Sequence, residues 1–224
     1  MATIADNLQV VKARIERARE RAGAASAVTL LAVSKGHGAE RIREAVAAGQ
    51  KAFGENYVQD ALAKMEALPQ LEWHLIGPLQ SNKTRVAAER FDWVQTVDRA
   101  KIASRLSDQR PVHRPALNVL IQVNISGEAT KSGVAPREVA ELARAIVALP
   151  RLRLRGLMAI PAPGMRMDFQ EMQRLYDGLR GEFGLDTLSM GMSDDMEAAI
   201  AAGATMVRVG TAIFGMRTQT QAAA

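Results

Sequence analysis

The feature that most limits what this chain can fold into is a regular alternation of two kinds of segment. Short apolar runs recur eight times: Val28–Lys35, Lys51–Gly54, Leu71–Ile76, Trp93–Val97, Ala116–Asn124, Arg153–Met158, Thr187–Met190 and Met206–Gly210. Runs of this length, rich in branched side chains and bounded by turn residues, predict buried strands. Between them lie seven segments with apolar residues at helical spacing: Glu40–Ala48, Val58–Leu68, Lys83–Glu89, Arg99–Ser107, Pro136–Leu149, Phe169–Phe183 and Asp195–Ala202. A short tail helix is expected after Thr211. Strands alternating with helices predict a parallel sheet, and eight such units predict a closed (β/α)8 TIM barrel. The runner-up is a doubly wound open sheet, but no G-x-G-x-x-G opens a helix after the first strand. No linker, low-complexity run or fixed-period repeat interrupts the pattern. Residues 1–224 therefore read as a single domain, a length at which barrels commonly stay undivided.

An additional helix is expected ahead of the first strand. Ile4, Leu8, Val11, Ile15 and Ala18 fall on one helical face, and Thr3-x-x-Asp6 has the spacing of a cap. Asp6, Glu16 and Glu20 set this Arg-rich stretch apart from a transit peptide. No apolar stretch approaches the length of a membrane span, and the expected location is the cytoplasm.

Composition narrows the chemistry. With no cysteine, disulfides, thiolate metal sites and thiol nucleophiles are removed together. His37, His74 and His113 lie far apart and lack the spacing of metal ligands. The 29 Lys and Arg against 24 Asp and Glu leave a net charge of +5, a modest balance that suits an anionic ligand. No basic block is interleaved with aromatics, so a stacking platform for nucleic acid is not expected.

Barrel active sites lie at the carboxyl ends of the strands. That rule singles out Lys35 at the end of the first strand, Asn56 after the second and His74 near the end of the third. It adds Asn124 at the end of the fifth, Met158 at the end of the sixth and Ser193 after the seventh. Arg208 and Gly210 end the eighth, with Thr211 following. Each has two readings. An amine held in a low-dielectric strand end has a depressed pKa and is suited to Schiff-base chemistry; a lysine there also snorkels into water. Asn56 is placed to cap the helix beginning at Tyr57. His74 also reads as a hydrogen-bonded core histidine, and Asn124 as a strand terminator with Gly127 turning the chain. Glu55 reads as the partner of a nearby arginine, and Lys83 and Lys131 as solvated side chains.

The segments Ser189–Asp195 and Val207–Gly215 each lead a strand into a helix. Loops after strands 7 and 8 of such barrels often bind phosphate, because aligned N–H dipoles favour an anion. Asp194 and Asp195 oppose that role if they face the site and stabilise the helix start if they face solvent.

The ordered motifs AVSK, FGENYVQD, WHLIGPLQSNK, VNISGEATKSGV, RGLMAI, LSMGMSDDMEAAI and VRVGTAIFG resemble the pyridoxal phosphate homeostasis proteins. These are small barrels similar to the amino-terminal domain of alanine racemase, of the fold-type III class. The resemblance runs from about Leu30 to Gly215. It departs after the lysine, where the family commonly has a Thr and a Pro and this chain has Gly36-His37-Gly38. The resemblance implies that Lys35 forms a Schiff base with pyridoxal 5'-phosphate and that Ser193, Gly210 and Thr211 hold the phosphate. It further implies cofactor contacts at Asn56, His74, Asn124 and Met158, with Arg208 facing the pyridine nitrogen. A permanently charged, donor-only group there keeps that nitrogen unprotonated and the ring a weak electron sink.

The function so implied is storage and delivery of the cofactor, with other B6 vitamers as further ligands and apo-enzymes as acceptors, without appreciable turnover. Lys83 and Lys131 are candidates for a second vitamer site. The alternative is a fold-type III amino-acid racemase. Alanine racemases resemble this chain in the barrel but add a β-domain and a tyrosine acting as a second acid/base, for which this chain offers only Tyr57 and Tyr176. The missing second domain also favours a monomer. A Schiff-base aldolase, the third reading, gives no reason for the pairing of Arg208 with Ser193.

Overall fold

The computed structural model of the chain describes residues 2–128, 131–161 and 166–216. Eight parallel strands close into a barrel in sequence order. They are β1 (Thr29–Val33), β2 (Ala52–Glu55), β3 (Glu72–Leu75), β4 (Trp93–Val97), β5 (Leu117–Val123), β6 (Leu152–Ala159), β7 (Thr187–Ser189) and β8 (Met206–Val209). The barrel closes where β8 pairs with β1, from Thr29 opposite Met206 to Ala32 opposite Val209. Helices follow the strands: α2 (Ala39–Ala47), α3 (Val58–Ala67), α4 (Thr84–Arg90), α5 (Ala100–Gln109), α6 (Val139–Val147), α7 (Arg166–Phe183), α8 (Met196–Ala201) and the short α9 (Thr211–Phe214). Among the described residues, no helix is long and apolar enough to cross a membrane.

Successive side chains of a strand point to opposite faces, and the barrel sorts its residues by that rule. Ala32, Phe53 and Leu75 face outward and pack with helix residues such as Ile42, Ala61 and Met65 in the main core. Their neighbours face inward. Leu31, Val33, Ala52, Ile76 and Met206 form one cluster, and Trp93, Leu120 and Met158 form another. The polar side chains of His74, Gln95, Ser189 and Arg208 are buried with them.

The additional helix forms as α1 (Ile4–Arg21). The Thr3 hydroxyl accepts the Asp6 N–H at 3.1 Å, and the Asp6 carboxylate accepts the Thr3 N–H at 2.9 Å, a reciprocal capping box. All five residues of its apolar face are buried. Each large one contributes roughly 1.5–3 kcal/mol by leaving water. That face lies against α2, α8 and α9, which brings the polar side of α1 close to the loops after β7 and β8.

The boundaries differ from the sequence reading where local chemistry intervenes. The first strand stops at Val33, because Ser34 to Gly36 turn the chain and Gly36 adopts φ +75°. A 3-10 turn at Ser81–Lys83 leads into α4. α7 begins at Arg166, earlier than its apolar periodicity suggests.

Candidate functional site

A cavity of about 520 Å³ opens at the carboxyl-terminal mouth of the barrel. That is within the range of small-molecule sites. Lys35, Asn56, Ser193, Arg208, Gly210 and Thr211 all line it, brought from β1, β2, β7 and β8. Val33, Ile76 and Ile160 supply its apolar walls.

Lys35 sits half-buried in the turn after β1. The backbone beneath it is pinned by a second, buried lysine. Lys64 Nζ donates to the Ser34 carbonyl at 2.9 Å and to Glu55 Oε1 at 2.7 Å. The Ser34 hydroxyl donates to the same Glu55 oxygen at 2.5 Å. Burial raises the Glu55 carboxyl above its ordinary value, with Lys64 pulling the other way. The partner of Glu55 is therefore a lysine, where the sequence suggested an arginine. The following His37 stacks on Phe214 with ring centroids 5.1 Å apart, which fixes the Gly36-His37-Gly38 segment against α9.

Asn56 is not the helix cap. Tyr57 occupies the cap position of α3, which leaves Asn56 at the cavity. Its place is set by Gly77 after β3, where an added Cβ would lie 2.0 Å from the Asn56 carbonyl oxygen. Only glycine permits that approach, and Thr96 holds the same loop by donating its hydroxyl to the Gly77 carbonyl at 2.8 Å.

The loops after β7 and β8 interlock. Gly191 turns the chain at φ +91°, with no room for a Cβ against Ala199. Asp195 folds back to accept the Met192 N–H at 2.6 Å, so it closes the turn before α8, while Asp194 stands exposed at the rim. The Ser193 hydroxyl accepts the Ala212 N–H at 3.4 Å. Arg14 of α1 also reaches this point. Its Nη2 donates to the Ser193 carbonyl at 3.1 Å, and it pairs with Glu197 at 2.7 Å. Arg14 lines the cavity although sequence reasoning did not single it out. Its only signal is a place on the polar side of α1, and nothing in the local pattern says which surface that side meets.

Arg208 is buried at the inner end of the cavity. Its Nη1 donates to Ser189 Oγ and its Nη2 to the Ala159 carbonyl, each at 2.8 Å. Burial lowers its pKa to about 10, which leaves it charged at neutral pH.

Three other residues singled out from the sequence do not line the cavity. His74 is fully buried inside the barrel, stacked on Trp93 with centroids 5.0 Å apart and hydrogen-bonded at both ring nitrogens. Met158 packs with Trp93 and Leu120 in the barrel interior. Asn124 ties its own loop, donating from Nδ2 to the Glu128 carbonyl at 2.8 Å. Lys131 pairs with Glu128 at 2.9 Å and Lys83 ends a 3-10 turn; neither lines the cavity.

The donor set fits pyridoxal phosphate. Lys35 offers an amine for the aldehyde, the Ser193 and Thr211 loops offer hydroxyl and backbone groups for the phosphate, and Arg208 offers N–H donors to a ring nitrogen. The aliphatic walls suit the faces of the ring.

The family described as alanine racemase, N-terminal domain, matches residues 6–218. The pyridoxal phosphate homeostasis protein of Escherichia coli is 56% identical, with 97% of this chain and 98% of that protein covered. Its namesake in Pseudomonas aeruginosa is 57% identical, covering 97% of each. The structure of PipY from Synechococcus elongatus with pyridoxal phosphate bound aligns at a TM-score of 0.79 and 37% identity, over 95% of this chain and all of that one. Alanine racemase from Corynebacterium glutamicum aligns at a TM-score of 0.70 but 19% identity, over 96% of this chain and 63% of that one, a likeness of fold alone. This chain belongs to the alanine racemase N-terminal domain family and, within it, to the pyridoxal phosphate homeostasis proteins.

Proposed function

We propose that this protein binds pyridoxal phosphate in the mouth cavity and serves its intracellular homeostasis, holding the cofactor and releasing it to enzymes that need it. The observation that carries this reading is the convergence of Lys35, Ser193, Thr211 and Arg208 on one cavity. When bound, the cofactor supplies an aldehyde that an amine captures reversibly and a ring able to withdraw electrons. Lys35 is the amine at the rim. Ser193, Gly210 and Thr211 orient the phosphate, and Asn56 and the aliphatic walls orient the ring. Arg208, charged and donor-only, presents N–H to the pyridine nitrogen and disfavours its protonation.

Carriage rather than turnover is supported by what surrounds that ring. Racemisation needs a proton donor facing Lys35 across the cofactor. Neither His37 nor His74 lines the cavity, Tyr57 points into solvent at 64% exposure, and the Tyr176 hydroxyl donates to the Leu185 carbonyl. The same reading takes the protein as a monomer that hands cofactor to apo-enzymes. Loaded protein incubated with amino acids in deuterium oxide is expected to exchange no Cα proton catalytically, yet to activate an added apo-enzyme. Sustained exchange that disappears in Lys35→Ala would make it an enzyme instead.

A further inference from the structure

Arg208 does not end its hydrogen bonding at Ser189. Ser189 Oγ lies 2.7 Å from Gln95 Oε1, and Gln95 Nε2 lies 2.9 Å from His74 Nδ1 and 3.2 Å from the Met206 sulfur. His74 Nε2 lies 2.7 Å from Glu72 Oε1. Glu72 and His74 are two residues apart on β3, so they share its inward face. The Glu72 side chain is about half exposed at the opposite end of the strands. The chain of bonds thus crosses the barrel from the cavity at one mouth to solvent at the other, through five side chains on the four strands β8, β7, β4 and β3.

Its ends fix its direction. A guanidinium only donates, so the Ser189 oxygen accepts from Arg208 and its own proton must go to an acceptor, Gln95 Oε1. Gln95 then turns its amide N–H groups toward His74 and the Met206 sulfur, and a sulfur accepts rather than donates. His74 Nδ1 is therefore bare, and Nε2 carries the proton to the carboxylate of Glu72, which only accepts. Reversing the links would leave a buried donor facing a donor, or a bare ring nitrogen facing a carboxylate. The surroundings of His74 agree: Trp93 stacks on it, Arg155 lies over Trp93 at 4.7 Å, Asp92 is near, and burial holds the imidazole neutral.

We infer that Gln95, Ser189 and His74 are positioning residues for Arg208, forming a one-way hydrogen-bond chain anchored on Glu72 that sets which N–H groups the guanidinium presents to the cavity. The inference rests on the proposed cofactor site only in what Arg208 faces. The chain itself is a property of the protein without ligand. Among the described residues no carboxylate is hydrogen-bonded to the buried guanidinium, and its orientation rests on two neutral oxygens, the Ala159 carbonyl and the Ser189 hydroxyl. A carbonyl accepts in any register; a hydroxyl accepts only when its proton is taken elsewhere, and Gln95 takes it.

Two measurements test this. In ligand-free protein, long-range proton–nitrogen NMR of the imidazoles, with His74→Gln identifying the resonances, is expected to show His74 neutral with its proton on Nε2. A proton on Nδ1, or a charged ring at neutral pH, overturns the chain whatever the cavity binds. The second measurement is a titration of Gln95→Met and Ser189→Ala with pyridoxal phosphate, following binding and the visible spectrum of the bound cofactor against pH. Each variant is expected to weaken binding on the order of tenfold, as for loss of one bond to a charged group, and to shift that pH profile. Wild-type affinity and profile in both folded variants overturn the positioning role. Failure of the wild type itself to bind overturns the cofactor reading and leaves the first measurement standing. If either variant fails to fold, Glu72→Gln at the half-exposed end supplies the same comparison, and an unmoved profile there counts against the inference.

Discussion

Arg110 and Arg208 are both buried, and burial lowers both guanidinium groups to about 10, but the two ends of the barrel give them different surroundings. Arg110 lies by the mouth where strands begin. Its Nε donates to the Pro115 carbonyl at 2.8 Å, and its Nη1 to those of Ala88 and Phe91 at 2.7 and 2.8 Å. Nearby, Arg155 grips both oxygens of Asp186, reaches Asn118 and lies over Trp93. At the other mouth Arg208 has two oxygen partners and borders a cavity shared with Lys35, Ser193 and Thr211. A charge saturated by fixed partners holds loops together. Both arginines border open volume, about 410 Å³ at Arg110 and about 520 Å³ at Arg208, so it is the lighter hold on Arg208, two oxygen partners against three carbonyls, that leaves N–H groups for a ligand. This is the division between a stabilising and a functional barrel face, here visible in a single residue type.

The contrast is most sharply tested by Lys35→Ala. It is expected to abolish the borohydride-fixed cofactor while changing stability little, as for substitutions away from the core. Mass spectrometry that finds the cofactor on another lysine would break the assignment. Arg110→Ala should do the reverse, leaving three carbonyls without a donor and costing about 3 kcal/mol in denaturant unfolding. Its cofactor titration should match wild type. A variant of unchanged stability would show that Arg110 is no more structural than Arg208.

Within the cavity mouth, Ser193→Ala should weaken pyridoxal phosphate by about 1.5–3 kcal/mol while leaving pyridoxal, which has no phosphate, unaffected. Equal losses for both ligands would move the phosphate elsewhere. The smallest effect concerns pH. Burial holds His74 below its ordinary 6.5, so the unfolded chain takes up a proton there that the folded protein refuses. Stability is then full above 6.5 and falls as the pH drops below it, by at most about 1.4 kcal/mol per pH unit for one proton. Glu72, held below its ordinary 4.5 chiefly by its hydrogen bond to His74, adds a loss only in more acid solution. Thermal unfolding of His74→Gln across this range should be flatter than wild type.

Much of this arrangement is legible along the chain. The buried face of α1 is the one its spacing indicates, because helical periodicity and capping are local. Lys35, Ser193, Gly210 and Thr211 reach the mouth because each lies in the loop that follows a strand, and strand ends share one rim. His74 and Met158 mislead for a geometric reason. Barrel strands are tilted and staggered, so nearness to a strand end does not fix depth below the rim. Asn124 is captured by its own loop, where its Nδ2 donates to the Glu128 and Lys131 carbonyls. Arg14 is invisible for the opposite reason: its partner Ser193 is 179 residues away in sequence.

The alternation of elements, the closed barrel that such alternation favours and the identity of the amine at the first strand end can all be read along the chain. These follow from short-range patterns of burial, capping and turning. The pairing of Glu55 with Lys64, the hold of Arg14 on the Ser193 loop and the path from His74 to Arg208 through Gln95 and Ser189 arise only when the folded elements meet. Those contacts join strands and helices across the barrel, and their partners are chosen by which donors and acceptors burial leaves facing one another.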